Sequence, residues 1–226
     1  MDRTQLNART DGTSVSEAVR FNLYPGSYIH EDWFDRLRYG AIIRELVLAD
    51  PFENSISKYL LREFEIDDRF SLGSDRPVDR LALRDRRTIE EFALFLGVYL
   101  NRRSILKSIR GDRLRQLAGV LPASGEALLR DLYRGQILMR EPAGIHPDAF
   151  LRLPYKAIVV SGELALAAAL RATPKAMSQR CWIKLGPRYQ GLSAGRAPVV
   201  EADEFDATIS RFFTLENESK MPGDPA

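Results

Sequence analysis

The 226-residue chain has little of the residue types on which much protein chemistry depends. It has one cysteine, Cys181, so an internal disulfide framework is excluded and a reducing compartment is consistent. It has two histidines, His30 and His146, and neither has a second histidine or a cysteine at metal-binding spacing. The run His30-Glu31-Asp32 offers three neighbouring ligands, but on a helix they point in different directions. The sequence therefore predicts no metal, and His30 is expected to form a hydrogen bond near the Pro25-Gly26 turn.

The chain also lacks a strong net charge and a long apolar run. The formal net charge is +2, from 33 basic and 31 acidic residues, which does not suggest a polyanionic partner. The N-terminal residues have no apolar core typical of a signal peptide. The longest apolar run, 157–170, is interrupted by Gly162 and Glu163 and is shorter than the ~20 residues that span a bilayer. We expect a soluble cytoplasmic protein.

No segment shows the alternation of a β-strand, and there is neither an internal repeat nor an extended heptad run. Helical spacing of apolar residues recurs along the chain instead. The predicted fold is all-α, a single compact multi-helix domain of about eight to ten helices around one core. We expect this domain over residues 20–214, with flexible tails at 1–19 and 215–226.

The most informative stretch is 161–185. Its first part, up to Leu170, is a predicted helix with small residues on nearly every face, so neighbouring helices can approach it closely. Its second part is a predicted helix capped by Thr173, with Pro174 in the first turn and Trp182 anchoring the far end.

Other helix signals complete the predicted architecture. Asp50 is a predicted N-cap followed by Pro51 and Glu53, and Ser124 is a predicted N-cap of a later helix. Residues 88–100 are apolar nearly all round and should be buried. The proline-rich stretch 141–154 is a predicted linker. A last amphipathic helix is indicated by four apolar residues at helical spacing: Phe205, Ile209, Phe212 and Phe213.

No pattern points to catalysis. Cys181 lies late in a predicted helix beside Trp182, which favours packing over a nucleophilic role. The loop 186–195 has three glycines but lacks the Lys-Ser/Thr ending of a phosphate-binding loop. The carboxylate pairs Asp67-Asp68 and Glu90-Glu91 are adjacent in sequence, and solvated surface is the expected environment. We therefore predict neither an enzyme nor a cofactor.

The densest charge run, 75–87, has five arginines and three aspartates. A solvated, internally paired face is one interpretation, and a protein-docking face is the other, because arginine is enriched in interfaces. Aromatic residues near the N-terminus are candidates for the same role, although each could equally be core. The predicted partner interface comprises Tyr28, Trp33, Arg76, Arg80, Arg84 and Arg87.

Four segments carry a family resemblance in their order and separation: 23–30, 60–64, 94–106 and 161–185. The first contributes Pro25, Tyr28 and His30. The last contributes Gly162, Leu164, Ala168, Pro174, Gln179, Arg180 and the run 182–185. Together they resemble the SctK family, also called YscK, of bacterial type III secretion systems, with the rhizobial member NolU as the nearest match within it.

The resemblance implies an all-helical cytoplasmic adaptor of the sorting platform, peripheral to the inner-membrane base of the injectisome. It would join the cytosolic domain of the ring protein SctD to SctQ, and through SctQ to SctL and the ATPase SctN, with neither catalysis nor a cofactor. The head and the tail after Phe213 depart from the family. The alternative function is a helical nucleic-acid-binding regulator, which the arginine content motivates.

Overall fold

The computed structural model describes residues 15–47, 49–67, 69, 76–108, 117–119, 121–134, 155–192 and 200–220. All regular structure within these ranges is helical, which confirms the all-α prediction. The α-helices are α1 (Val15–Leu23), α2 (Gly40–Val47), α3 (Glu53–Glu63), α4 (Pro77–Leu83), α5 (Arg86–Leu100), α6 (Arg102–Ser108), α7 (Ala123–Tyr133), α8 (Tyr155–Arg171), α9 (Lys175–Leu185), α10 (Pro187–Gln190) and α11 (Ala202–Lys220). Short 3₁₀ helices span Pro25–Ser27, Glu31–Arg36 and Asp50–Phe52.

The chain forms two compact units, and each is discontinuous in sequence. The first combines residues 1–86 with 173–188, and the second combines residues 87–172 with 189–226. The single domain over 20–214 stays a prediction. At its edges, α1 begins at Val15 and α11 continues to Lys220, so residues 15–19 and 215–220, assigned to the tails by sequence, are helical.

The N-terminal part of the first unit packs around a small apolar core. The 3₁₀ helix Pro25–Ser27 lies against α3, where the Gly26 N–H donates to Ser57 Oγ at 3.2 Å. A Cβ at Gly26 would come within 3.1 Å of that oxygen, so a residue without a side chain suits the contact. The buried core residues here are Phe34, Leu37, Ile43, Ile56 and Leu60.

Helix α9 returns from far along the sequence to complete the first unit. Two of its contacts with the early segments use its backbone carbonyls. The His30 N–H donates to the Ile183 carbonyl at 2.9 Å. The Trp33 indole Nε1–H donates to the Trp182 carbonyl at 3.1 Å. Nine of its eleven residues are buried, so α9 is a core helix of this unit.

The second unit contains a very close helix crossing. A Cβ at Gly162 in α8 would lie 1.9 Å from the Ala93 carbonyl oxygen of α5. A Cβ at Gly97 in α5 would likewise lie 2.1 Å from the Ile158 carbonyl oxygen of α8. The predicted close approach to the helix of small residues is therefore confirmed, with glycines from both helices at the crossing.

Helix α11 covers α5 with aromatic residues. The Phe92 ring meets the Phe205 ring edge-to-face at 5.6 Å and the Phe212 ring at 5.4 Å. All four apolar residues that define the predicted amphipathic helix are buried, which confirms that prediction. Helix α11 also contacts α7, and there Arg211 forms an ion pair with Asp131.

The predicted N-caps are wrong in detail. Asp50 begins a 3₁₀ helix rather than capping α3, because the fixed φ of Pro51 suits either helix type. Pro174 is the N-cap of α9 with an extended ψ of 140°, so Thr173 lies outside the helix. Ser124 lies inside α7, whose N-cap is Pro122.

The boundaries of the predicted loops and helices shift as well. Helix α10 occupies part of the predicted loop 186–195, and α5 begins at Arg86 rather than at residue 88. The predicted linker at 141–154 lies outside the described residues. Within the ranges described above, no helix combines the length and the apolar character needed to cross a membrane.

Candidate functional site

Of the two aromatic residues predicted for the partner interface, Trp33 is in the first unit's interior and Tyr28 is half-buried. Trp33 is 4% exposed, and its indole N–H is used in the bond to α9. The Tyr28 hydroxyl donates to the Phe21 carbonyl at 2.6 Å, and the two rings stack at 5.7 Å. Burial raises the pKa of the Tyr28 hydroxyl far above its usual value, so it remains a neutral donor. Both residues therefore shape this unit from within.

The predicted arginine run divides between the two units. Arg76, Arg80 and Arg84 flank or lie within α4 of the first unit, four residues apart, whereas Arg87 belongs to the second. Arg76 and Arg87 are exposed, and Arg80 and Arg84 are half-buried. Arg87 pairs with Glu91 at 2.9 Å, one helical turn on.

The same run contributes to the core, which the interpretation as a solvated face did not anticipate. Within α4 the buried residues are Val78, Asp79, Leu81 and Ala82. The arginines lie on the remaining side of this short helix. Helix α4 is thus amphipathic, with three apolar residues and Asp79 inside the first unit and the half-buried Arg80 on the opposite side.

Two buried cations of α9, unpredicted from the sequence, organise the first unit. The Lys184 ammonium donates to the carbonyls of Ala82 at 2.9 Å and Arg84 at 2.6 Å, at the C-terminal end of α4. It also lies 4.8 Å from the centre of the Phe21 ring. A cation suits this place because a helix C-terminus has unpaired carbonyls and a partial negative charge. Burial lowers the pKa of Lys184 to about 8.

Arg180 makes the corresponding contact at the end of α1. Its guanidinium donates to the Asn22 carbonyl at 3.4 Å and to the Asp67 carbonyl at 3.0 Å. Arg180 is 2% exposed, and a third bond reaches the Ala176 carbonyl of its own helix. Two basic residues one helical turn apart on α9 therefore hold the C-terminal ends of α1 and α4.

Gln179 extends this set of contacts on the chain that follows α3. Its side-chain amide accepts from the Asp67 N–H at 2.9 Å and donates to the Glu65 carbonyl at 3.0 Å. Glu65 has a φ of 46°, in the left-handed region. A side-chain amide that pairs with both a donor and an acceptor can stabilise such a turn. The only sequence signal for Gln179 and Arg180 was their place in the family resemblance.

The residues considered for chemistry have structural roles. Cys181 is completely buried, and burial raises the pKa of its thiol to about 12, so the predicted packing role is confirmed. His30 Nδ1 accepts from the Asp32 N–H at 3.1 Å, a local bond close to the predicted turn. Asp67 accepts from Arg69, which holds the pKa of its carboxyl below the usual value.

Among the described residues, no three histidine, cysteine, aspartate or glutamate side chains come together as metal ligands would. His146 and Asp68 lie outside the described residues. Glu90 and Glu91 both lie on α5 and are half-buried.

Comparison with known proteins assigns the chain to a family. Neither the search of curated proteins nor that of solved structures gave a significant match. A family model described as YOP proteins translocation protein K (YscK) matches residues 16–215, which span α1 to α11. The closeness to the rhizobial member stays a prediction. The chain therefore belongs to the YscK family, which is the SctK family of type III secretion proteins.

Proposed function

We propose that this chain is a non-enzymatic cytoplasmic adaptor of a type III secretion sorting platform. It would link the cytosolic domain of the inner-membrane ring protein SctD to SctQ, and indirectly to SctL and SctN. The match to the YscK family over residues 16–215 carries this proposal. An adaptor of this kind needs no cofactor and no insertion into the membrane.

The arrangement of α4 supports the proposal because it offers arginines on an ordered helix. Arg76 is exposed at the N-terminal end of α4. The C-terminal end of α4 is held by the Lys184 ammonium. An ordered backbone avoids the cost of ordering a loop on binding, and arginine is enriched among the residues that dominate interface energetics. We propose that Arg76, Arg80, Arg84 and Arg87 contact a partner and that Tyr28 and Trp33 support the unit from inside.

Co-purification tests the adaptor function directly. The full-length chain is purified and mixed separately with SctQ and with the SctD cytosolic domain from the same bacterium, and then with both. Complexes with each partner and a ternary complex on size-exclusion chromatography are expected. A folded chain that binds neither partner would contradict the proposal.

A double variant that reverses two charges tests whether the arginines in and beside α4 contact a partner. Arg76→Glu/Arg80→Glu is compared with Arg134→Glu, an exposed arginine that follows α7 in the second unit. The double variant should weaken one of the two complexes, and the control should weaken neither. A gel-shift assay with duplex DNA at low salt checks the nucleic-acid alternative, for which steeply salt-dependent binding is required.

A further inference from the structure

His30 joins the start of the 3₁₀ helix Glu31–Arg36 to the C-terminal end of α9. Its backbone N–H donates to the Ile183 carbonyl at 2.9 Å. Its imidazole is 8% exposed and packs against Gly186, where a Cβ would come within 2.9 Å of the ring. Gly186 has a φ of 91°, in the left-handed region, so a glycine suits both its backbone and this contact. The imidazole is therefore held against the end of α9.

The same imidazole caps the 3₁₀ helix. His30 is its N-cap residue, and Nδ1 of the ring accepts from the Asp32 N–H at 3.1 Å. This bond requires a neutral imidazole that carries its proton on Nε2. The side chains that usually fill an N-cap, those of Ser, Thr, Asn and Asp, keep an acceptor oxygen near neutral pH. An imidazole differs because it takes up a second proton within the range of about pH 5 to 8.

A proton on Nδ1 would turn the acceptor of this cap into a donor. The Asp32 N–H would then face another donor and lose its partner. The Asp32 carboxylate can respond, because its Oδ2 lies 3.7 Å from Nδ1 and its side chain is 58% exposed. An approach by about 1 Å would give a charge-assisted hydrogen bond. Protonation therefore replaces a backbone cap with a side-chain ion pair.

The other charged groups on the neighbouring elements have different contacts or are exposed. On α9, Arg180 and Lys184 donate to carbonyls at the ends of α1 and α4. On the 3₁₀ helix, Asp35 pairs with Arg44 of α2. The remaining charged side chains of these elements and of α10 are exposed: Glu31, Arg36, Glu45, Lys175 and Arg188. Among the described residues, the Asp32 carboxylate is thus the charged group in contact with the imidazole.

Trp33 connects the first turn of the 3₁₀ helix to α9. Its backbone N–H donates to the His30 carbonyl, and its indole N–H donates to the Trp182 carbonyl, each at 3.1 Å. The indole is buried and meets the Phe64 ring edge-to-face at 5.2 Å. A change in the first turn therefore reaches a buried tryptophan and the contact with α9.

We propose that His30 is a pH-sensitive cap that joins the 3₁₀ helix Glu31–Arg36 tightly to α9 at neutral pH and loosens this contact on acidification. The neutral imidazole holds the Asp32 N–H, and the imidazolium pairs with the Asp32 carboxylate instead. The proton comes from solvent, and no covalent bond between heavy atoms changes. This inference goes beyond the adaptor function and does not depend on it, because it concerns contacts inside the first unit.

Hydrogen exchange of the full-length chain tests the cap at pH 7.5 and 5.5, after correction for the intrinsic exchange rate at each pH. The critical variant is His30→Asn, whose side-chain oxygen can accept from the Asp32 N–H at either pH. His146→Asn is the matched control, since it removes the only other histidine of the chain. Asp32→Asn removes the carboxylate and keeps the backbone cap. Melting temperatures verify that each variant is folded, and Asp32→Asn alone serves if His30→Asn is unfolded.

In the wild type and in His146→Asn, protection of residues 31–36 should fall by about fivefold between pH 7.5 and 5.5, as expected for the loss of one cap. In His30→Asn it should fall by less than about twofold. Tryptophan emission should change over the same pH range, with a midpoint at lower pH in Asp32→Asn, because the imidazolium has lost its counter-ion.

Three results would overturn the proposal. The first is an equal loss of protection in the wild type and in His30→Asn, and the second is a midpoint that Asp32→Asn leaves unchanged. The third comes from nitrogen NMR of the imidazole: a neutral His30 with its proton on Nδ1 could not accept from the Asp32 N–H.

Discussion

One contact from each unit shows a different way of joining helices. In the first, two cations of α9 reach into the interior and bond to the C-terminal carbonyls of α1 and α4. In the second, α5 and α8 meet at Gly97 and Gly162 with almost no side chain between their backbones. One arrangement depends on long side chains with specific hydrogen bonds, and the other depends on the absence of a side chain. The comparison shows that a buried polar contact and a bare backbone contact can each fix a helix position.

The largest expected effect comes from a side chain placed in the bare crossing. Gly162→Val would push a Cβ to within 1.9 Å of the Ala93 carbonyl oxygen, and a helix backbone cannot move aside locally. We expect a loss of unfolding free energy of more than about 3 kcal/mol, measured by urea denaturation.

Gly125→Ala in α7 is the matched control, because its Cβ would meet only the Leu121 side chain, at 3.2 Å. It should change stability by less than about 1 kcal/mol, since alanine also favours the helix. Equal losses in the two variants would mean that the crossing is not specially tight.

The polar arrangement is tested by Arg180→Met, which keeps an apolar stem of similar length. The Asn22 and Asp67 carbonyls would lose a buried donor, with an expected cost of about 2–3 kcal/mol in unfolding free energy. Arg62→Met changes an exposed arginine in α3 and should cost less than about 0.5 kcal/mol. A variant as stable as the wild type would show that these bonds add nothing over apolar packing.

Ala167→Leu tests whether close packing extends along α8. Ala167 is completely buried, so the added carbons would overpack the unit and lower the unfolding free energy by about 1–3 kcal/mol. The melting temperature is the simplest measurement. If it is unchanged, α8 has room beyond the glycine crossing and is less central than proposed.

The smallest expected effect is the change in unfolding free energy with pH that Lys184 causes. Its pKa is about 8 in the folded chain against 10.5 in the unfolded chain, so the unfolded state binds more protons at pH 8 to 9. Stability contributed by Lys184 should therefore rise with pH in that window, by about 1 kcal/mol. Above pH 9 the raised pKa of the Cys181 thiol acts in the opposite direction, which sets the upper limit of the window.

Urea denaturation at pH 8 and 9 measures this difference in the wild type and in Lys184→Met. The variant should lack the Lys184 contribution, and Lys58→Met, at an exposed site in α3, should retain it. A wild type and a Lys184→Met variant with the same pH slope would contradict the assigned shift.

The sequence predicts much of this fold because apolar periodicity reports burial directly. The buried α5, the four apolar residues of α11 and the small residues of α8 all appear where their patterns indicate. Helix starts are less predictable, because a proline, as at Pro51 and Pro174, fits several local geometries.

The buried cations are the clearest omission. Nothing local distinguishes Arg180 and Lys184 from surface residues, because their acceptors come from α1, α4 and the chain after α3. The exposure of Ile42 is unpredictable for a related reason. Its helical spacing with Ile43 and Leu46 is typical of a buried face, yet the fold leaves Ile42 exposed.

The return of α9 has a consequence for the synthesis of this protein. Residues 87–172 must leave the ribosome before the last part of the first unit exists, and the second unit also waits for α11. At ~5–20 residues per second, roughly ten seconds pass between the emergence of the first unit's two parts. During that time the ends of α1 and α4 lack their cations, and the nascent chain exposes apolar surface that α9 later covers. Neither unit can be completed before its later helices have been made, α9 for the first unit and α11 for the second.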